Sequence, residues 1–69
     1  MNHDYFAKKG NLAGKNCWLV TIRDIRKDGH TYDYVTDIVY SEKEALDGVE
    51  ESRQRHYLWD HYEAITMNQ

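Results

Sequence analysis

The chain of 69 residues carries nine Lys and Arg against twelve Asp and Glu, a net charge of −3, and 41% of it is hydrophobic. With six Tyr, two Trp and one Phe, it has too much apolar matter for a disordered segment and enough for one domain, near the lower limit of a self-sufficient core. A single cysteine excludes an internal disulfide, and no apolar run reaches the length of a membrane span.

No signal-peptide pattern opens the sequence, so a cytoplasmic location is expected. The chain starts with Met and shows no evident tag, and we expect it to be complete. Residues 1–16 read as a loop-like N-terminal arm, because KKGNLAGKN has two glycines, two asparagines and no sustained period. Residues 17–69 read as the folded domain.

Within that domain CWLVTIRDI and TYDYVTDIVY flank Lys27-Asp28-Gly29, a hairpin signal in which Gly29 takes a positive φ without a Cβ clash. A two-residue turn would set Asp24 opposite Asp33, and like charges in that position destabilise. A three-residue loop pairs Arg23 with Asp33, Ile22 with Tyr34 and Trp18 with Ile38, and is the expected register. One face then carries Trp18, Val20, Ile22, Tyr32, Tyr34, Ile38 and Tyr40, for a helix to cover. The other carries Leu19, Thr21, Arg23, Ile25, Asp33, Val35, Asp37 and Val39.

Ser41 followed by Glu44 is a capping box, and it starts a helix expected from Glu42 to about His56. At 100° per residue Ala45, Leu46, Val49, Ser52, Arg53, His56 and Tyr57 share one side, with Glu44, Asp47, Glu51 and Arg55 on the other. Gly48 costs about 1 kcal/mol against Ala there, and marks either close approach to the sheet or weak selection. From Tyr57 to Met67 the period shifts to alternation, which predicts a closing strand with Trp59 at its junction. The expected fold is α+β in the order ββαβ: a three-stranded antiparallel sheet with one helix packed on one face.

Chemistry-bearing clusters are sparse. His56, Asp60 and His61 lack the further ligands that a tetrahedral metal site needs, so no metal and no cofactor are expected. Cys17 opens a strand without an oxyanion stabiliser and reads as a small buried hydrophobe. So short a chain has little room for a substrate cleft, and we expect no enzymatic activity.

Charge is unevenly spread. Residues 24–51 hold nine acids against Arg26, Lys27 and Lys43, whereas residues 1–16 hold Lys8, Lys9 and Lys15 against Asp4. The acidic middle disfavours direct contact with nucleic acid and favours a partner with a basic surface. One helix covers one sheet face, so the other face is left for a partner unless Tyr5, Phe6 and Leu12 of the arm fold over it. The expected protein-binding residues are Leu19, Arg23, Ile25, Asp33, Val35, Asp37 and Val39, with the acids Glu44, Asp47 and Glu51 beside them.

In size, acidic bias, absence of disulfides and the order WLVTIRDI…TYDYVTDIVYSEKEAL…YEAIT, the chain resembles the small inhibitors that bacteriophages encode, anti-CRISPR proteins included. That resemblance implies stoichiometric binding to a host protein or nucleoprotein complex and occlusion of a functional surface, with Asp33, Asp37, Glu44, Asp47 and Glu51 imitating phosphates for a basic groove. The alternatives are a small nucleic-acid-binding or regulatory module working through its N-terminal lysines and aromatics, and a homodimer joined by its sheet faces.

Overall fold

The computed structural model describes residues 2–58, 60 and 61. Strands β1 (Asn2–Leu12), β2 (Lys15–Ile25) and β3 (Thr31–Val39) form one antiparallel sheet in the order β1-β2-β3, and helix α1 (Glu42–Arg55) follows. Ala45 and Val49 of α1 pack against Val20, Val39, Ala7 and Trp18, so the helix covers a single face of the sheet. The architecture is the expected α+β one, and β2, β3 and α1 are the ββα part of the expected order.

The N-terminal segment corrects one expectation. Residues 2–12, read as a loop-like arm, are an edge strand paired with β2 along its whole length, from Asn2 opposite Ile25 to Leu12 opposite Lys15. The physical reason is a period-2 pattern hidden by lysines and a glycine. His3, Tyr5 and Ala7 lie opposite Asp24, Ile22 and Val20, while Asp4, Phe6 and Lys8 lie opposite Arg23, Thr21 and Leu19. Ala13 and Gly14 make the turn with φ of 53° and 83°, the double positive φ of a primed two-residue hairpin. Asn11 braces it: its Oδ1 accepts from the Gly14 N–H at 3.0 Å, and its Nδ2 donates to Asn16 Oδ1 at 3.1 Å.

The second hairpin has the expected three-residue loop. Arg26 N–H donates to the His30 carbonyl at 2.9 Å, Gly29 has φ +90°, and Arg23 stands opposite Asp33 and Ile22 opposite Tyr34. A β-bulge then interrupts the ladder between Val20 and Thr21: Thr21 pairs with Val35 but Val20 with Asp37, so Trp18 meets Val39 rather than Ile38. One extra residue inverts the alternation beyond it. Val39 therefore turns inward and is 9% exposed, in the core beside Val20 and Ala45, whereas Ile38, opposite Leu19, falls on the outer face.

Ser41 caps α1 as expected. Its Oγ accepts from the Glu44 N–H at 3.2 Å and donates to Glu44 Oε1 at 3.1 Å, so the Glu44 carboxylate takes the Ser41 hydroxyl. Gly48 marks close approach: a Cβ there would lie 3.0 Å from Val20 Cγ2. The helix seats Ala45 and Ser52 against the sheet and leaves Leu46 and Tyr57 exposed, although the wheel grouped all four. The closing strand expected over Tyr57–Met67, with Trp59, lies largely outside the described residues; Tyr57, Leu58, Asp60 and His61 are helical, and Asp60 N–H donates to the His56 carbonyl at 2.9 Å.

Candidate interaction surface

The face of the sheet away from α1 is built by alternation on three strands. Phe6 and Lys8 come from β1, Leu19, Thr21, Arg23 and Ile25 from β2, and Asp33, Val35 and Ile38 from β3. Val35 is 49% exposed and Ile38 39%. Thr21 is buried at the centre, with its hydroxyl donating to the Leu19 carbonyl at 3.0 Å. Leu19 lies over Gly10, whose missing Cβ would fall 3.0 Å from the Leu19 side chain.

The charges of this face neutralise one another. Arg23 donates twice to Asp33, Nε to Oδ1 at 2.8 Å and Nη2 to Oδ2 at 3.1 Å, its guanidinium lies 4.8 Å from the centre of the Phe6 ring, and Lys8 Nζ is 3.8 Å from Asp33. The fork of hydrogen bonds from Arg23, with the positive charges of Arg23 and Lys8, holds the Asp33 carboxyl below its usual range, and the same pair raises Arg23. Asp4, opposite Arg23 on the same face, adds its charge to this group, so two acids stand there beside two bases.

The structure divides the expected binding residues. Leu19, Arg23, Ile25, Asp33 and Val35 come together on the outer face. Val39 does not: the bulge moves it into the core. Asp37 stands opposite Val20 at the bulge, where its carboxylate accepts from the Ile38 N–H at 2.9 Å. Glu44, Asp47 and Glu51 are exposed on α1, across the sheet from the outer face, so they rim a separate surface. Five acids stand between Glu42 and Glu51 against Lys43 alone. Nor does the arm cover the outer face, since pairing beside β2 widens the sheet and adds Phe6 and Lys8 to that face. Those two residues and Ile38 were missed; alternation in Asp4-Phe6-Lys8 was the available signal for the first two, and only the bulge places the third.

A buried polar cluster sits on the helix side, where β1 meets the end of the helix. His3, its side chain 1% exposed, has Nδ1 2.6 Å from Asp60 Oδ1 and Nε2 3.8 Å from Asp24 Oδ1. Arg26 Nη2 lies 3.1 Å from the other Asp24 oxygen, and the Tyr5 hydroxyl donates to Asp60. Tyr5 also stacks on His56, whose Nδ1 lies 2.8 Å from the Ser52 carbonyl. His56, Asp60 and His61, weighed above as metal ligands, are spent differently: Asp60 ties down β1, and His61 stacks on Tyr57. Among the described residues no group of three or more His, Cys, Asp or Glu could hold a metal ion. Cys17 is buried at 3% exposure, and no described helix is long and apolar enough to cross a membrane.

No protein-family model matches this sequence, and no curated protein or solved structure is similar to it.

Proposed function

We propose that the chain is a non-enzymatic, stoichiometric binding protein that docks a larger protein on its outer sheet face. The observation behind this reading is the apolar row of Leu19, Val35 and Ile38, framed by Phe6 and the Arg23–Asp33–Lys8 group and covered by no described element. Apolar patches with a paired polar surround suit protein contacts, because burying them strands no charge. The acids of α1, on the opposite side, draw the chain toward a partner with a basic groove and set association rate more than affinity. Occlusion of a host protein or nucleoprotein complex, as phage-encoded inhibitors achieve it, is the role that fits this size and charge.

The test is a paired capture and sedimentation experiment. Wild-type chain, Val35→Asp with Ile38→Asp, and Glu42→Lys with Glu51→Lys are compared for capture of host proteins and for mass in solution. Loss of one specific partner with the sheet-face changes, and slower capture with the helix changes, supports the reading. A dimer that the sheet-face changes dissolve replaces it with a sheet-to-sheet homodimer. Capture insensitive to both pairs refutes it.

A further inference from the structure

The turn end of the first hairpin carries a different surface. An open cleft of about 270 Å3 is lined by Lys9, Gly10, Asn16, Cys17, Trp18 and Tyr40. β3 ends at Val39, so Tyr40 stands beyond the ladder and the cleft opens past the end of that strand. Lys9 Nζ sits 5.7 Å from the centre of the Trp18 ring, and Lys15 Nζ 4.3 Å from that of Tyr40. From Tyr5 to Arg23 the sequence has no acid and four bases, Lys8, Lys9, Lys15 and Arg23.

We propose that this cleft binds a nucleotide unit, an aromatic base joined to a phosphate, either within a single strand or free. Two π faces with an ammonium at each are the pieces such a ligand needs: a ring to stack and a cation for the phosphate. Gly10 adds no side chain to the wall, and Asn16, held by Asn11 at 3.1 Å, presents an amide edge to a base. The lysines now rest on the rings the base would occupy. An exposed ammonium–ring contact is weaker than base stacking, so the incoming base displaces each ammonium from ring to phosphate. Opposing the phosphate are Glu42 and Glu44, just after Tyr40 in the chain; Glu44 also caps the helix with Ser41, so Glu42 is the acid that can be removed without disturbing the cap, and its removal strengthens binding. Neither Val35 nor Ile38 lines the cleft, so this site stands or falls separately from the sheet face.

Fluorescence anisotropy of a labelled oligothymidylate of about fifteen nucleotides, long enough for one site, tests the proposal on the full chain. Expected is binding that weakens steeply between about 50 and 200 mM salt, with the slope reduced by about 1.4 in the Lys9→Ala, Lys15→Ala double variant, two phosphate contacts at about 0.7 each. Tyr40→Ala weakens binding at least tenfold with an unchanged circular dichroism spectrum, Trp18→Phe keeps it, Glu42→Gln strengthens it, and Val35→Asp leaves it unchanged. Thymidine monophosphate competing at similar concentration identifies a free nucleotide; failing to compete while the oligomer binds identifies a strand. An abasic oligomer binding equally well, or no binding of any probe at low salt, overturns the proposal.

Discussion

A Cβ added to Gly48 would lie 3.0 Å from Cγ2 of Val20, the most buried large apolar side chain of the central strand. Two effects of opposite sign meet at this position. Alanine gains about 1 kcal/mol of helix propensity over glycine. Val20 is β-branched, 1% exposed and without a free rotamer to retreat into. We expect the clash to win, so Gly48→Ala lowers the thermal midpoint, while in a Val20→Ala background the same change raises it. A double-mutant cycle reads the coupling directly; additive effects would show that the helix does not sit this close.

Ala13 is the single described non-glycine residue with positive φ, at 53°. An L-residue with a Cβ pays about 1 kcal/mol in that region, and asparagine tolerates it better. Ala13→Asn makes the Asn-Gly pair that the turn prefers and should raise stability by about 0.5–1 kcal/mol in urea titrations. Gly29, at φ +90° with open space around it, behaves oppositely: Gly29→Val should cost more than about 1 kcal/mol, from backbone strain alone. An unchanged midpoint for either variant would contradict the turn geometry.

The contrast between the two hairpins shows what a sequence of this kind discloses. Lys27-Asp28-Gly29 lies between two β-branched runs, so loop length and the pairing of Arg23 with Asp33 follow from local chemistry. Ala13-Gly14 lies after Lys8, Lys9 and Gly10, where propensity favours a loop, and pairing with β2 overrides it. Ser41 and Glu44 announce the helix with no tertiary help. The bulge at Val20 and Thr21 has no local sign, being a property of two strands at once, and it alone moves Val39 inward and Ile38 outward. For the same reason His3 stayed out of sight: its partners, Asp24 and Asp60, are remote in sequence and meet it only once β1 is a strand.

That cluster ties the first residues of β1 to the turns that follow α1. Removing one member of a buried charged group leaves its partners desolvated and uncompensated, which typically costs about 3 kcal/mol. Asp24→Ala removes the carboxylate that faces His3 and Arg26 and should destabilise by somewhat less, about 2 kcal/mol, because Asp60 still faces His3 and the Arg26 side chain is 44% exposed. Asp60→Asn should cost less, since the Asp60 side chain is 34% exposed and water can replace its partner. Hydrogen exchange should show the loss spreading along β1 before it reaches β3. Equal protection of both strands in Asp24→Ala would mean the cluster does not hold β1 in place.

The Arg23–Asp33 pair gives the outer face a pH signature. Asp33 is held below the usual carboxylate range first by the hydrogen bonds from Arg23; burial opposes them, more strongly than the charge of either Arg23 or Lys8 alone assists. A carboxyl whose folded pKa is depressed contributes stability that is fully present above the unfolded value and disappears as pH falls through the folded one. Arg23, raised by its hydrogen bonds to Asp33, stays charged throughout and adds no window of its own. Asp28, lowered chiefly by the hydrogen bond from the His30 N–H, titrates over the same acid range, so the comparison must remove it from both sides. In an Asp28→Asn background, the stability gap between Asp33 and Asp33→Asn chains should be constant from neutral pH down to about pH 5 and then close as pH falls below the unfolded value of about 3.9. Urea midpoints across that range measure it. A gap that keeps its neutral-pH size in strong acid would show that the two side chains meet without electrostatic consequence, and the balanced charge assigned to the docking face would go with it.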